Sequence, residues 1–359
     1  MDWINCPPIP PRSGMVTQFG LAGPLAGVDG NWLMVAGGAN FENGMPWRGG
    51  AKTYHDDIYL LEEKSDGVLS WKVSEEKLPF PLAYPACITM NNGFISVGGE
   101  NEKGPVKSVF RYTFAGGKVK IESLPELPHE LSSAGATLVD GQVFVVGGLD
   151  KAGATAGFYS LSLSRPGEGW HKLPDVPVEL SHAVVVAQDD GKGQAVYVIG
   201  GRNRTGDVTT FLSSVYKFSL TDHHWTKEGD VKPNGSLVKL SAGTGVAHGN
   251  DQIILFGGDR GFFFNQTERM NLEIDAETDP VKKDSLLKRK DYFLTHHPGF
   301  SNQILSYHTI SKKWYEIGTI PGESPATTVV FQWRGKWVIP SGEIRPGVRT
   351  DKVIMVEIK

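Results

Sequence analysis

The sequence has few cysteines and no long apolar run. Only Cys6 and Cys87 occur among 359 residues, too few for a disulfide framework, and no metal-binding partner lies near either one. No stretch of 18 apolar residues is present, and the first residues lack the basic and apolar segments of a secretion signal. The sequence as it stands therefore predicts a soluble, cytoplasmic protein; a periplasmic location stays open if residues are missing at its start.

An excess of positive charge is lacking too. The formal net charge is −4, which argues against nucleic acid or an anionic membrane surface as a general partner. No phosphate-binding loop or dinucleotide fingerprint occurs. The pairs His223-His224 and His296-His297 are weak metal signals, because adjacent residues on a strand point to opposite faces. We expect neither a cofactor nor a metal ion.

What the sequence does contain is an internal repeat, in which a short apolar run ends on a doublet of small residues. The doublets are Gly37-Gly38, Gly98-Gly99, Gly147-Gly148, Gly200-Gly201, Gly257-Gly258 and, with serine in the first place, Ser341-Gly342. A unit that recurs every ~50 residues, with one strand ending in Gly-Gly, is typical of a kelch-type β-propeller blade. We therefore predict an all-β, six-bladed kelch propeller that occupies residues 1–359 as one domain.

Each unit has the parts of a four-stranded antiparallel sheet. A turn such as Asp140-Gly141 separates the first two strands, as expected for a β-hairpin. The predicted fourth strand carries a tryptophan, which we expect to pack between blades because large aromatic side chains dominate such cores. These tryptophans are Trp71, Trp170, Trp225 and Trp314, and the second unit has Val119-Lys120-Ile121 instead.

The two ends of the chain are expected to share one blade. The sixth unit ends before its fourth strand, and residues 3–10 at the N-terminus have the Trp-then-Pro pattern of a fourth strand. Pairing the two ends would close the ring and leave no open sheet edge.

One unit contains an insertion, over residues 259–301. Its second half starts with Pro280 and combines apolar Leu286-Leu287 with many charges, as in a surface helix. Long insertions in a repeat usually lie on its binding face. We predict a partly helical flap within blade five, beside the functional site.

The loops that follow the doublets are expected to ring one mouth of the central channel, because successive strands of a blade alternate in direction. These loops are rich in charged and amide side chains. A cluster of guanidinium groups at one mouth suits the capture of a carboxylate. The candidate substrate-binding residues are Arg202, Arg48, Arg260 and Asn40, although each could instead brace its loop.

The most specific string is Gly342-Glu343-Ile344-Arg345-Pro346-Gly347-Val348-Arg349-Thr350-Asp351. On a six-bladed kelch propeller it resembles the N-acetylneuraminate epimerase family, the sialic acid mutarotases of bacteria. Residues 37–41, 50–55 and 290–293 extend the resemblance over nearly the whole chain. It implies interconversion of the α and β anomers of N-acetylneuraminic acid, with Glu343 and Arg349 as the residues implicated in activity.

Two features depart from that family. The Glu/Arg string lies mid-chain in the periplasmic enzymes and near the C-terminus here, which predicts a circularly permuted member. The secretion signal expected of those enzymes is also missing.

The chemistry assigns a role to each of the two residues. Glu343 would take and return a proton as general acid and base while the sugar ring opens. Arg349 would hold the substrate carboxylate, which is bonded to the reacting carbon. Two alternatives stay open: a mutarotase for another acidic sugar, and a non-catalytic kelch module that binds a protein partner.

Overall fold

The computed structural model describes residues 1–357; positions 358–359, which the predicted domain includes, lie outside the described part. The strands of the first half are β1 (Asp2–Ile4), β2 (Leu25–Asp29), β3 (Trp32–Ala36), β4 (Ala39–Asn40), β5 (Thr53–Tyr54), β6 (Ile58–Glu63), β7 (Leu69–Val73), β8 (Ala86–Thr89), β9 (Phe94–Val97), β10 (Glu100–Asn101), β11 (Gly104–Pro105), β12 (Val109–Ala115), β13 (Lys118–Ser123), β14 (Gly135–Val139), β15 (Gln142–Val146), β16 (Phe158–Ser162) and β17 (Trp170–Lys172). Those of the second half are β18 (Val184–Asp189), β19 (Gln194–Ile199), β20 (Arg202–Arg204), β21 (Thr209–Phe211), β22 (Ser214–Ser219), β23 (His224–Asp230), β24 (Thr244–His248), β25 (Gln252–Phe256), β26 (Gln303–His308), β27 (Lys313–Thr319), β28 (Phe331–Trp333), β29 (Lys336–Pro340), β30 (Glu343–Arg345), β31 (Val348–Arg349) and β32 (Val353–Glu357). The helices are α1 (Phe262–Ala276) and α2 (Pro280–Thr295), with short 3-10 turns at Pro46–Arg48, Pro166–Glu168 and Pro233–Gly235.

The main strands form six four-stranded sheets, which confirms the predicted six-bladed propeller. Blades one to five have the orders β2-β3-β6-β7, β8-β9-β12-β13, β14-β15-β16-β17, β18-β19-β22-β23 and β24-β25-β26-β27. Blades one, two, four and six also have a small two-stranded ribbon after the doublet: β4-β5, β10-β11, β20-β21 and β30-β31. These ribbons carry several of the residues that reach the mouth of the channel.

The sixth blade is completed by the two ends of the chain. Its order is β28-β29-β32-β1, and β1 pairs antiparallel with β32 so that Trp3 lies opposite Val356. The prediction that the N-terminal segment supplies the fourth strand is therefore confirmed. Ser341, the serine of the imperfect doublet, adds a second closure because its Oγ accepts from the Leu21 N–H at 2.7 Å.

The core is divided among the blade interfaces. The described part of the chain contains six clusters of buried apolar side chains, and each joins two neighbouring blades. The cluster between blades six and one, for example, packs Leu33 and Val35 against Phe331 and Met355. Since the first and last blades share such a cluster, the ring is closed by packing as well as by strand pairing.

The blade tryptophans connect neighbouring blades through their indole N–H groups as well as their rings. Trp71, Trp170 and Trp225 donate to backbone carbonyl oxygens of Pro7, Pro125 and Pro174, each in the segment that follows the fourth strand of the preceding blade. The proline-rich segments thus provide acceptors for the next blade, which explains why Trp and Pro recur together.

The two helices lie between β25 and β26 of blade five, within the predicted insertion. Asp279 caps α2 by accepting from the N–H groups of Val281 and Lys282, and Pro280 occupies its first turn. In residues 1–357, neither helix has the length and apolar character needed to cross a bilayer.

Candidate active site

A closed ring of backbone hydrogen bonds surrounds the axis just before the first strand of each blade. Each of six residues donates its N–H to the carbonyl oxygen of its counterpart in the preceding blade, at 2.7 to 2.9 Å. All six have left-handed backbone angles, with φ between 49° and 60°. The members of this backbone ring are Gly23, Tyr84, Ser133, His182, Ala242 and Thr327. Because Ser133 has a positive φ, the first strand of its blade, β14, begins only at Gly135.

Above the backbone ring lies a cavity of about 720 Å³, within the range of about 300–1,000 Å³ typical of small-molecule sites. The first residue after each doublet pairs with the residue that precedes the ring member of the same blade, as Glu343 does with Ala326. Five of these six first residues line the cavity: Glu100, Leu149, Arg202, Asp259 and Glu343. Four of these five side chains are charged, and Glu100, Arg202 and Glu343 are held on the short ribbons of blades two, four and six.

Glu343 and Arg349 meet in this cavity. They are cross-strand partners in the β30-β31 ribbon, and Nη1 of Arg349 lies 3.4 Å from Oε1 of Glu343. The same Oε1 accepts from the Gly347 N–H at 3.0 Å. Gly347 has a φ of +74°, and a Cβ there would lie 2.9 Å from Cδ of Pro46, so the tight ribbon needs glycine at this place.

The Arg349 guanidinium is buried without a full set of hydrogen bonds. Its side chain is 4 % exposed, and the guanidinium carbon lies 4.6 Å from the ring centre of Phe41. Nε and Nη1 have no hydrogen-bond partner among the described residues. Buried donors normally have partners, so the unpaired donors of this guanidinium are suited to bind an anionic ligand.

A second arginine, Arg202, enters the cavity from blade four. Its Nη2 lies 3.0 Å from Nε2 of His182, and its guanidinium carbon lies 4.8 Å from the ring centre of Phe264 on α1. Burial and the charge of Arg202 hold the pKa of His182 well below its usual value. His182 is therefore a neutral acceptor for Arg202, with its other ring nitrogen 2.9 Å from the Ser181 hydroxyl.

Tyr84 and Lys52 form the side of the cavity next to blades one and two. Lys52 Nζ lies 5.1 Å from the ring centre of Tyr84 and 3.3 Å from Glu100. Burial raises the pKa of Tyr84, so its hydroxyl stays protonated and can donate to a ligand.

The two helices cover the cavity. Phe263, Thr267 and Glu268 of α1 and Lys290 and Leu294 of α2 line it. The insertion therefore contacts the cavity; its role as a flap beside the functional site stays a prediction.

Arg48, one of the candidate residues, binds the helical cap formed by α1 and α2 and does not line the cavity. Its Nε and Nη2 donate to the two carboxylate oxygens of Asp291 on α2, at 2.5 and 2.8 Å. The Trp47 indole donates to the same carboxylate at 2.9 Å. Arg48 therefore ties the loop of blade one to the cap.

Asn40 and Arg260 lie outside the cavity as well. Asn40 is buried, donates to Gly20 O and pairs with the His55 ring. Arg260 donates to Ser301 and Gln303. Both are the second residue after their doublet, and alternate residues of a strand point to opposite sides. Of the six candidates, the structure brings Glu343, Arg349 and Arg202 together at the cavity.

Residues that sequence reasoning did not select as site residues are Tyr84, His182, Asp259 and the phenylalanines of α1. A signal for the first two exists: a Leu-small-X pattern precedes the first strand of five blades, as in Leu82-Ala83-Tyr84 and Leu180-Ser181-His182. The third residue of that pattern is the ring member that faces the cavity. Within residues 1–357, no group of three His, Cys, Asp or Glu side chains is arranged to hold a metal ion.

Comparison with known proteins gives a consistent family. The sequence model of N-acetylneuraminate epimerase matches residues 124–359. An N-acetylneuraminate epimerase of Haemophilus influenzae (strain PittEE) is 29% identical over 237 residues, covering 64% of this chain and 58% of the relative. One of Brucella melitensis biotype 1 is 37% identical over 131 residues, covering 34% of this chain and 32% of the relative. The matched stretch thus spans little more than half the length of the Haemophilus relative.

A solved structure supports the same fold. The structure of YjhT superimposes with a TM-score of 0.64 and 17% identity, and the alignment covers 95% of each chain. Since the family's sequence model covers about two thirds of the chain, including the Glu343–Arg349 ribbon, the protein belongs to the N-acetylneuraminate epimerase family.

Proposed function

We propose that the protein interconverts the α and β anomers of N-acetylneuraminic acid by opening and reclosing the sugar ring. The observation that carries the proposal is the meeting of Glu343 with the buried, incompletely paired Arg349 guanidinium in one cavity. Membership in a family of N-acetylneuraminate epimerases supports the choice of substrate.

Mutarotation of a ketose requires proton transfer at two oxygens of one carbon. The anomeric hydroxyl loses a proton and the ring oxygen gains one as the ring opens, and the ketone then recloses from its other face. Within residues 1–357, one carboxylate oxygen of Glu343 accepts no protein hydrogen bond, since the Gly347 N–H and Arg349 both act on the other. Glu343 would therefore carry protons to and from the substrate, which typically contributes about 10²–10⁴-fold in rate.

Arg349 would position the reacting carbon. The substrate carboxylate is attached to that carbon, so two parallel bonds from a guanidinium fix its place relative to Glu343. Phe41 stacks on the guanidinium and limits the orientations it can take. Arg202 and Tyr84 would contact the remaining polar groups of the sugar.

The proposal is tested with the α anomer freshly released from a glycoside and followed by proton NMR. Wild-type protein should bring the anomers to equilibrium faster than buffer does, and Glu343→Gln should lose this acceleration while staying folded. Glu102→Gln is a matched control, because Glu102 is an exposed residue on the equivalent loop of blade two, outside the cavity.

Each contrary result points to a different conclusion. If the protein binds the sugar but does not accelerate equilibration, it is a sugar-binding protein and not an enzyme. Acceleration with a different acidic sugar alone would keep the mechanism and change the substrate. Full activity of Glu343→Gln would remove Glu343 from the mechanism.

A further inference from the structure

A second carboxyl group faces the same cavity, and its surroundings differ from those of Glu343. The inference drawn from it rests on the proposed function and concerns how the two proton transfers are divided. The anomeric hydroxyl and the ring oxygen exchange protons in opposite directions, so two separate groups can act on them at once.

The carboxylates that line the cavity in the described residues are Glu100, Asp259, Glu268 and Glu343. Two of them are occupied by protein donors. Glu100 accepts at Oε1 from the Tyr54 hydroxyl at 2.7 Å and from Lys52 at 3.3 Å, and so forms an ion pair with Lys52. Both oxygens of Glu268 accept from Thr209, at 2.7 Å each. These two carboxylates hold neighbouring segments of the cavity wall together.

Asp259 differs from these two because it forms no ion pair with a lysine or arginine among the described residues, and, like Glu343, it keeps one oxygen without a protein hydrogen bond there. Oδ1 of Asp259 accepts from the Gly261 N–H at 2.8 Å, and among residues 1–357 no side chain or backbone group bonds to Oδ2. The two residues occupy the same place in neighbouring blades, directly after the doublet and paired with Ser241 and Ala326 respectively. They therefore stand at the same level above the backbone ring.

We propose that Asp259 is a second catalytic residue, which exchanges a proton with the ring oxygen while Glu343 exchanges one with the anomeric hydroxyl. On opening, the Asp259 carboxyl gives its proton to the ring oxygen as the carbon–oxygen bond breaks, and Glu343 takes the proton of the anomeric hydroxyl. On reclosure, the released hydroxyl attacks the ketone and returns its proton to Asp259, and Glu343 returns its own to the new anomeric oxygen. No proton is gained or lost over the cycle.

The charges around Asp259 suit the acid role. Burial raises the pKa of Asp259, and the charge of Glu343 raises it further. Arg202, Arg260 and the Gly261 N–H act in the opposite direction. The net effect is a carboxyl that holds its proton to higher pH than an exposed aspartate, beside a Glu343 that is paired with Arg349. Two carboxyl groups in unlike environments are a common arrangement for dividing acid and base work.

The test is Asp259→Asn, measured by the NMR assay over a range of pH. The amide oxygen can still accept from the Gly261 N–H, so the loop keeps its shape, but proton transfer is lost. We expect the rate at saturating substrate to fall by about tenfold or more, with binding of the sugar changed less than threefold. As the pH rises, the wild-type rate should fall where Asp259 loses its proton. This fall should disappear in Asp259→Asn and return in Asp259→Glu.

Asp150→Asn is the matched control. Asp150 also follows a doublet and accepts from the Ala152 and Gly153 N–H groups in a turn of the same kind, but it does not line the cavity. It should keep the wild-type rate and pH profile.

Two results would overturn the inference while leaving the proposed function in place: an unchanged rate in Asp259→Asn, or a lower rate with the wild-type pH profile. The second would make Asp259 a support for Arg202. Absence of acceleration by the wild-type protein would instead overturn the proposed function, and the inference with it.

Discussion

Arg349 offers the sharpest test of substrate recognition, because its unpaired donors can be counted. Nε and Nη1 are buried without hydrogen-bond partners among the described residues, and a substrate carboxylate could accept from either one together with Nη2, as in a two-bond guanidinium–carboxylate pair. A hydrogen bond to a charged group contributes about 1.5 kcal/mol or more. Two such bonds correspond to about 3 kcal/mol, or roughly 150-fold in affinity.

The informative variant is Arg349→Met, whose unbranched side chain can still pack on Phe41. Calorimetric titration should show a loss of affinity for N-acetylneuraminic acid of roughly 100-fold. The same sugar with its carboxylate reduced to an alcohol should bind the variant and the wild-type protein almost equally. This result would show that Arg349 contributes selectivity for the charged carboxylate and is not needed for the fold.

Arg345→Met serves as the control on the same ribbon. Arg345 pairs with Glu323 at 3.7 Å and does not line the cavity, so its loss should leave both affinities unchanged. If Arg349→Met weakened the acid and the alcohol equally, or weakened the acid less than fivefold, carboxylate recognition by Arg349 would be refuted.

Three further predictions concern stability and reactivity. Ser341→Ala should lower the free energy of unfolding in urea by about 1–3 kcal/mol, because the Leu21 N–H loses its acceptor in a fully buried place; an unchanged midpoint would contradict this. Burial raises the pKa of Cys6 and Cys87 to about 12, so few thiolates exist at pH 8. Iodoacetamide should then modify these thiols only after unfolding, and rapid labelling of the native protein would be the opposing result. Asp291→Asn removes an exposed ion pair, so the melting temperature should stay the same, and a clear drop would assign the cap a larger part in stability.

Much of the fold could be predicted because short sequence patterns mark each repeat. The doublets mark the ends of second strands, and the N-terminal Trp-Pro segment marks the missing fourth strand of blade six. The proximity of Glu343 and Arg349 was predictable as well, since both lie in one short string. The predicted circular permutation stays a prediction.

The candidate site was harder to predict because side-chain direction decides which mouth residues face inward. The sequence grouped the first and second residues after each doublet together, but Arg202 faces the cavity while Asn40 and Arg260 turn away. Tyr84 and His182 reach the cavity from positions with positive φ, which non-glycine residues seldom adopt. The Leu-small-X pattern marks these positions in the sequence, but it does not show that the third residue has left-handed backbone angles and faces the cavity, which the three-dimensional ring reveals.

The backbone ring separates architecture from ligand chemistry. Its six hydrogen bonds use only main-chain atoms. The side chains at the five non-glycine positions can therefore be exchanged without removing a hydrogen bond between blades. The side chain at each of those positions starts from a fixed backbone and faces the cavity in which a ligand would bind. Variation at positions 84, 133, 182, 242 and 327, among residues that tolerate left-handed backbone angles, would therefore change the groups that face a ligand and keep the backbone bonds that close the ring.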